Sequence, residues 1–173
     1  MKRTLSRFAL GIVAAGALFA VACGGDDGGS SGGGDSTKDP VKFAETYYLT
    51  AFRVFTGATT ADDMMKLFED SCRSKVTAAD VGKGMDRSRD VFPKLKGAKV
   101  EAIDFQGKAK VEKTDKGAKV TIPGPADARV KVDGKFQNAF EYFKSVGLAE
   151  DEDKNQTDEI ELVLANGLSL IHI

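Results

Sequence analysis

The chain has 173 residues, 42% of them hydrophobic, with eleven Phe and no Trp; that much apolar side chain supplies a core and excludes an intrinsically disordered chain. The formal charge is only −1, and the bases alternate with acids, as in Lys108, Lys110, Glu112, Lys113 and Asp115. That balance lacks the clustered basic footprint of a nucleic-acid binder, so no nucleic-acid partner is expected.

Residues 1–22 have the three parts of a secretory signal: a basic start with Lys2, Arg3 and Arg7, an apolar run over residues 8–22, and small residues at its end. About fifteen apolar residues extend roughly 22 Å as a helix, short of the ~30 Å hydrocarbon core, so the run predicts a cleaved leader rather than a permanent transmembrane helix. Removing the leader and its three bases leaves 22 basic against 26 acidic residues, a charge of −4. Ala20-Val21-Ala22-Cys23 resembles the lipobox of bacterial lipoproteins, although the first position is usually Leu and here is Ala20, with Leu18 nearby. The resemblance implies diacylglycerol on the Cys23 thiol, cleavage in front of it, and a protein held on the outer face of the cell membrane. Two or more acyl chains, palmitate among them, give stable anchoring where one chain gives marginal, reversible binding.

Residues 24–37, GGDDGGSSGGGDST, contain nothing to bury, and their ordering entropy opposes any fixed structure. They read as a flexible tether with an r.m.s. span of about 20 Å. The glycines lack the preceding strand and the Lys-Ser/Thr ending of a phosphate loop, and the aspartates lack the EF-hand spacing.

One domain over residues 38–167 follows, of roughly 130 residues, an ordinary domain size. Asp39-Pro40 is a helix-start signal. Phe43, Tyr47, Ala51 and Phe55 then repeat every four residues, joined by Tyr48, Phe52 and Val54, which predicts an amphipathic helix that Gly57 ends. Thr60-Ala61-Asp62-Asp63 reads as a capping box with Asp in place of Glu, opening a second helix through Met64, Leu67, Phe68 and Cys72. Thr77-Ala78-Ala79-Asp80 repeats that signal for a third helix, through Met85 to about Phe92, weakened by Gly82 and Gly84 and closed by Pro93.

From Lys99 the period moves towards two, through Val100, Ala102, Ile103 and Phe105, then Ala109 and Val111, then Ala118, Val120 and Ile122, then Val130 and Val132. These are strands. Turns fall at Asp115-Lys116-Gly117 and Asp133-Gly134, and Pro123-Gly124-Pro125 breaks the ladder. Phe136, Phe140, Phe143 and Val146 return to helical spacing, and a last strand over Ile160 to Leu164 ends at Asn166-Gly167. Helices first and an antiparallel meander after them predict an α+β fold, with N-terminal helices packed on one face of a curved sheet.

That element order, over residues 38–167, resembles the nuclear-transport-factor-like fold, a cone that includes ketosteroid isomerase-like and polyketide-cyclase-like members. With a lipobox and a glycine tether it is similar to exported lipoproteins of high-GC Gram-positive bacteria. Such folds host enzymes, ligand carriers and structural modules alike, so fold does not choose function.

The final six residues, Leu168-Ser169-Leu170-Ile171-His172-Ile173, match the translation of the start of a common transposase-derived sequencing adapter. Residues 168–173 are therefore expected to be a non-native read-through tail, with a native final strand missing beyond Asn166-Gly167 and a sheet edge left open. His172, the one histidine of the chain, then belongs to no active site, which removes the commonest general base at neutral pH.

With Cys23 lipidated, Cys72 reads as a buried structural thiol or one half of a disulfide to a lost segment. Two Cys and one His without clustered spacing make no metal site, and no cofactor is expected. If the cone has a ligand cavity, Tyr47 and Tyr48 on the first helix and Asp104 on the first strand are its candidate polar lining, and the same residues would serve an isomerase-type acid and base. More simply, Asp104 faces solvent and the tyrosines edge the core. No catalytic residue is assigned. Glu150-Asp151-Glu152-Asp153 reads as a solvated loop. The expectation is a membrane-tethered domain that binds a small apolar ligand or a partner protein of the envelope; the alternatives are an isomerase- or cyclase-like enzyme and a structural envelope module.

Overall fold

A computed structural model of the chain describes residues 39–68, 73, 76–91, 94, 98–165 and 168–172. The leader, Cys23, the tether and Cys72 lie outside the described residues.

Helix α1 spans Pro40–Thr56, and its ends follow from local chemistry. The Asp39 carboxylate accepts hydrogen bonds from the backbone N–H of Val41 at 2.9 Å and Lys42 at 3.3 Å, satisfying donors that have no partner inside the helix. At the other end Gly57 takes a left-handed φ of 79°, which only glycine adopts without strain. The apolar face is buried along its length, including Phe43, Tyr47, Tyr48, Ala51, Phe52, Val54 and Phe55. Each large apolar side chain among them contributes about 1.5–3 kcal/mol relative to exposure.

Helix α2, Ala61–Met65, opens with the reciprocal box expected of Thr60 and Asp63, but it is shorter than its apolar spacing suggests. The N–H groups of Leu67 and Phe68 donate to carbonyls three residues back, tightening the chain out of the helix. Met64 and Phe68 are already fully buried at that point. Helix α3, Ala78–Val91, begins on the matching Thr77/Asp80 pair and runs through Gly82 and Gly84. The Arg89 guanidinium donates to the Phe55 carbonyl at 2.9 Å and to the Val54 carbonyl at 3.2 Å. It thus caps the C-terminal end of α1, where positive charge is favoured.

The strands form two antiparallel sheets rather than one curved meander. The first sheet orders β1 (Ala102–Asp104), β4 (Arg129–Val132) and β5 (Lys135–Asn138) as β1-β4-β5. The second orders β2 (Lys110–Lys113), β3 (Gly117–Ile122), β6 (Asp158–Ala165) and β7 (Leu168–His172) as β2-β3-β6-β7. Breaks after β1 and after β3 explain the split. Gln106 and Gly107 take positive φ of 53° and 67°, turning the chain after β1. The segment Pro123-Gly124-Pro125 then leaves β3 for a single 3₁₀ turn over Pro125–Asp127. Helix α4, Ala139–Ser145, follows β5 directly and is capped by the Asn138 side chain, which accepts from the Glu141 N–H at 3.2 Å. Helices and sheets share one core, in which Phe43, Met64, Phe68, Val54, Val120 and Val130 are the most deeply buried of the large apolar side chains. The architecture is therefore α+β, with helices packed against antiparallel sheets.

Three expectations are corrected. Phe136 belongs to β5 and is 47% exposed, because the Asp133-Gly134 turn, with φ of 49° and 75°, folds residues 135–138 back onto β4 before the helix can begin. The meander divides into two sheets. The edge of β6 expected to lie open is covered by β7, with Ala165 opposite Leu168 and Glu161 opposite His172; β-branched and aliphatic residues suit a strand, and backbone pairing asks little else of the tail. No described helix is long and apolar enough to cross a membrane.

Candidate functional site

Where α1, the end of β1, the end of β3, α4 and the start of β6 converge, they leave a partly open cavity of about 90 Å³. It is smaller than the roughly 150 Å³ that holds benzene in an engineered apolar cavity. Helix α1 contributes Tyr48 and Phe52, one turn apart on the buried face, and α4 contributes Ala139 and Phe143. Ile103 and Phe105 come from β1 and the residue after it, and Ile122, Pro123, Pro125 and Ala128 from the end of β3 and the break that follows. Gln156, Thr157 and Asp158 complete the wall beside β6.

Two segments of the rim are held together by close backbone packing. The N–H of Ala126 donates to the Lys154 carbonyl at 3.0 Å, and a Cβ on Gly124 would lie 2.7 Å from the Asn155 Cα. Gly124 therefore permits an approach that any other residue would block. Inside, aromatic rings dominate. Tyr48 meets Phe105 edge to face at 6.0 Å between centroids, and Phe52 meets Phe143 at a tilt, 5.9 Å apart, arrangements that rings favour over face-to-face stacking.

A hydrogen-bonded polar pair is set into this wall beside the exposed Gln156 and Thr157. The Tyr48 hydroxyl donates to Oδ2 of Asp158, 110 residues away in sequence, and Oδ1 of Asp158 accepts from the Glu159 N–H at 2.8 Å. Tyr48 is 7% exposed. Burial raises its pKa well above the ordinary phenol value, and the Asp158 charge and hydrogen bond push the same way. The phenol therefore stays protonated and keeps donating to the carboxylate.

The three cavity candidates read from sequence separate here. Tyr48 forms part of the wall. Tyr47 does not: it is 5% exposed and packs edge to face on Tyr48 at 5.4 Å and Phe68 at 6.1 Å, on the core side of α1. Asp104 does not line the cavity either. Strand alternation turns its side chain opposite to Ile103 and Phe105, where it pairs with the Arg129 guanidinium and accepts from the Gln106 N–H at 2.7 Å. The Arg129 hydrogen bond, then the Gln106 N–H, hold its carboxyl below the usual carboxylate range.

Sequence reasoning missed Asp158 as well as the pairing of Phe52 with Phe143. An acid at the start of a strand reads as ordinary strand-end polarity, and nothing local reports a partner on a helix over a hundred residues earlier. Among the described residues no group of three His, Cys, Asp or Glu is placed to hold a metal ion. No protein-family model, curated protein or solved structure matches the chain.

Proposed function

We propose that residues 38–167 are the globular part of a lipid-anchored extracytoplasmic protein, and that the cavity between α1 and α4 binds a small, largely apolar molecule carrying one polar group. The observation that carries this reading is the cavity itself: aromatic and aliphatic walls with the hydrogen-bonded pair Tyr48 and Asp158 set into them and the exposed Gln156 and Thr157 beside it. Ligand sites commonly combine an apolar lining with a few placed polar groups. The leader, the lipobox-like Cys23 and the glycine tether support the location, and helices followed by antiparallel strands support kinship with the nuclear-transport-factor-like cones. At about 90 Å³, the space fits a short aliphatic body or the end of a longer ligand, not a sterol.

The test is side-chain NMR of the full chain in detergent, titrated with n-propanol and n-butanol. Saturable shifts confined to Tyr48, Phe52, Phe105, Ile122 and Phe143 are the expected result. Shifts spread evenly over exposed apolar residues, without saturation, sink the reading.

The Tyr48–Asp158 pair also favours a second reading, an isomerase- or cyclase-like enzyme in which carboxylate and phenol act as base and acid. The binding reading ranks ahead of it because the phenol proton is directed at Asp158 rather than into the cavity, leaving no second proton donor in the aromatic wall.

A further inference from the structure

The chemistry of the cavity wall narrows the ligand class further, and the narrowing rests on the binding reading above. Having donated its one proton to Asp158, the Tyr48 hydroxyl offers the cavity only acceptor lone pairs. The Asp158 carboxylate is likewise an acceptor, with about four lone-pair sites of which Tyr48 and the Glu159 N–H occupy two. The other polar residues of the wall, Gln156 and Thr157, are exposed at the mouth. The interior therefore presents acceptors and one negative charge.

That charge has no counter-cation among the described residues. Bases on β3, on β4 and just before the Gln156–Asp158 wall segment have other partners: Lys119 pairs with Glu159 at 2.8 Å, Arg129 pairs with Asp104, and the Lys154 ammonium lies 5.9 Å from the centre of the Phe140 ring. A partly buried carboxylate facing an apolar cavity without a counter-ion is a site that a cation completes. The faces and edges of Tyr48, Phe52, Phe105 and Phe143 add to this, since aromatic rings attract a desolvated ammonium. Anionic ligands meet like charge, and the only side-chain donors of the wall, on Gln156 and Thr157, belong to exposed residues.

We propose that the cavity binds a small organic ammonium, its apolar body between the aromatic rings and its N–H groups donating to Asp158 and Tyr48.

The test compares three ligands of one shape, n-butylammonium, n-butanol and n-butyrate, with the full chain in detergent by calorimetry and side-chain NMR. The ammonium is expected to bind about tenfold or more tightly than the alcohol, the separation of one charge-assisted hydrogen bond, and butyrate to leave the ring resonances unmoved. Asp158→Asn should bring the ammonium to the level of the alcohol. Tyr48→Phe keeps the carboxylate and should retain the preference for the ammonium, with thermal unfolding confirming that both variants fold. Equal binding of alcohol and ammonium overturns this proposal while leaving a ligand cavity in place; so does a folded Asp158→Asn chain that keeps the preference, or a folded Tyr48→Phe chain that loses it. Binding by none of the three overturns the proposal together with the reading on which it rests.

Discussion

Oε1 of Glu45 accepts the backbone N–H of Phe105 at 2.9 Å, joining the middle of α1 to the residue that follows β1. The other oxygen accepts from the Lys42 ammonium at 2.7 Å, and Glu45 is only 7% exposed. Because the Phe105 ring forms part of the cavity wall, this bond sets where that wall stands. Glu45→Ala leaves a buried N–H without its acceptor and should cost about 1–3 kcal/mol. Glu45→Gln keeps an acceptor and loses mainly the pair with Lys42, whose side chain is 60% exposed, for about 0–1 kcal/mol. Urea unfolding at unchanged m-value reads both; equal losses from the two variants would show that the Phe105 bond contributes nothing.

The parts of the fold legible in the sequence are those fixed within four residues. Asp39-Pro40, Thr60/Asp63 and Thr77/Asp80 announce helix starts because each cap satisfies donors of its own first turn. Asp133-Gly134 announces a hairpin because both residues sit at positive φ. What the sequence does not carry is which strand lies beside which. The alternation of Val130 and Val132 says that β4 has a buried face; it does not say that its neighbours are β1 and β5. The candidate site fails in the same way: Tyr48 shows itself as an apolar-face tyrosine, while Asp158 becomes its partner only through the pairing of β6 with β3. Register decides such contacts, and register is a property of two segments.

Two glycines should respond to alanine in opposite directions. Gly82 lies inside α3, where an added Cβ would meet nothing within 4 Å, so Gly82→Ala removes unfolded-state freedom and should stabilise by about 0.5–1 kcal/mol. Gly117 opens β3, where a Cβ would stand 2.0 Å from the Leu162 carbonyl oxygen. Gly117→Ala must push β3 away from β6 at the end of their ladder, at a cost of about 1–3 kcal/mol. Thermal unfolding of both variants checks the signs, and a Gly117→Ala chain as stable as the parent contradicts the close approach.

Stability should fall at both extremes of pH. In acid, Asp63 is held down by hydrogen bonds from Lys66, Thr59 and Thr60, Asp80 by those from Thr77, and Asp104 by those from Arg129 and Gln106. A carboxyl depressed in the folded state stabilises it above the ordinary value of about 3.9, and that contribution fades as pH drops through the depressed range. In alkali, the chain's three tyrosines, Tyr47, Tyr48 and Tyr142, are all raised, chiefly by burial. A phenol raised in the folded state gives stability that is whole below about 10 and lost as pH climbs through the raised values. Phenolate absorbance should stay flat through about pH 10 and then rise together with loss of the far-ultraviolet helix signal. Ionisation of any tyrosine at its ordinary value in the folded chain contradicts the burial assigned to it.

Lipid attachment at Cys23 has a direct chemical readout. In cells fed labelled palmitate, the full chain should take up label and Cys23→Ser should not, because the thiol is the acceptor that a lipobox-like Ala20-Val21-Ala22-Cys23 provides. The variant should also appear in the medium or unprocessed, since a leader alone supplies no lasting anchor and one chain would hold only marginally. Shortening residues 24–37 should leave labelling unchanged, because the proposal assigns that glycine-rich segment the role of a spacer and not a part in the acylation signal. Equal label in parent and Cys23→Ser chains, or a mature parent chain that begins elsewhere than at Cys23, removes the anchor and with it the assignment to the membrane face.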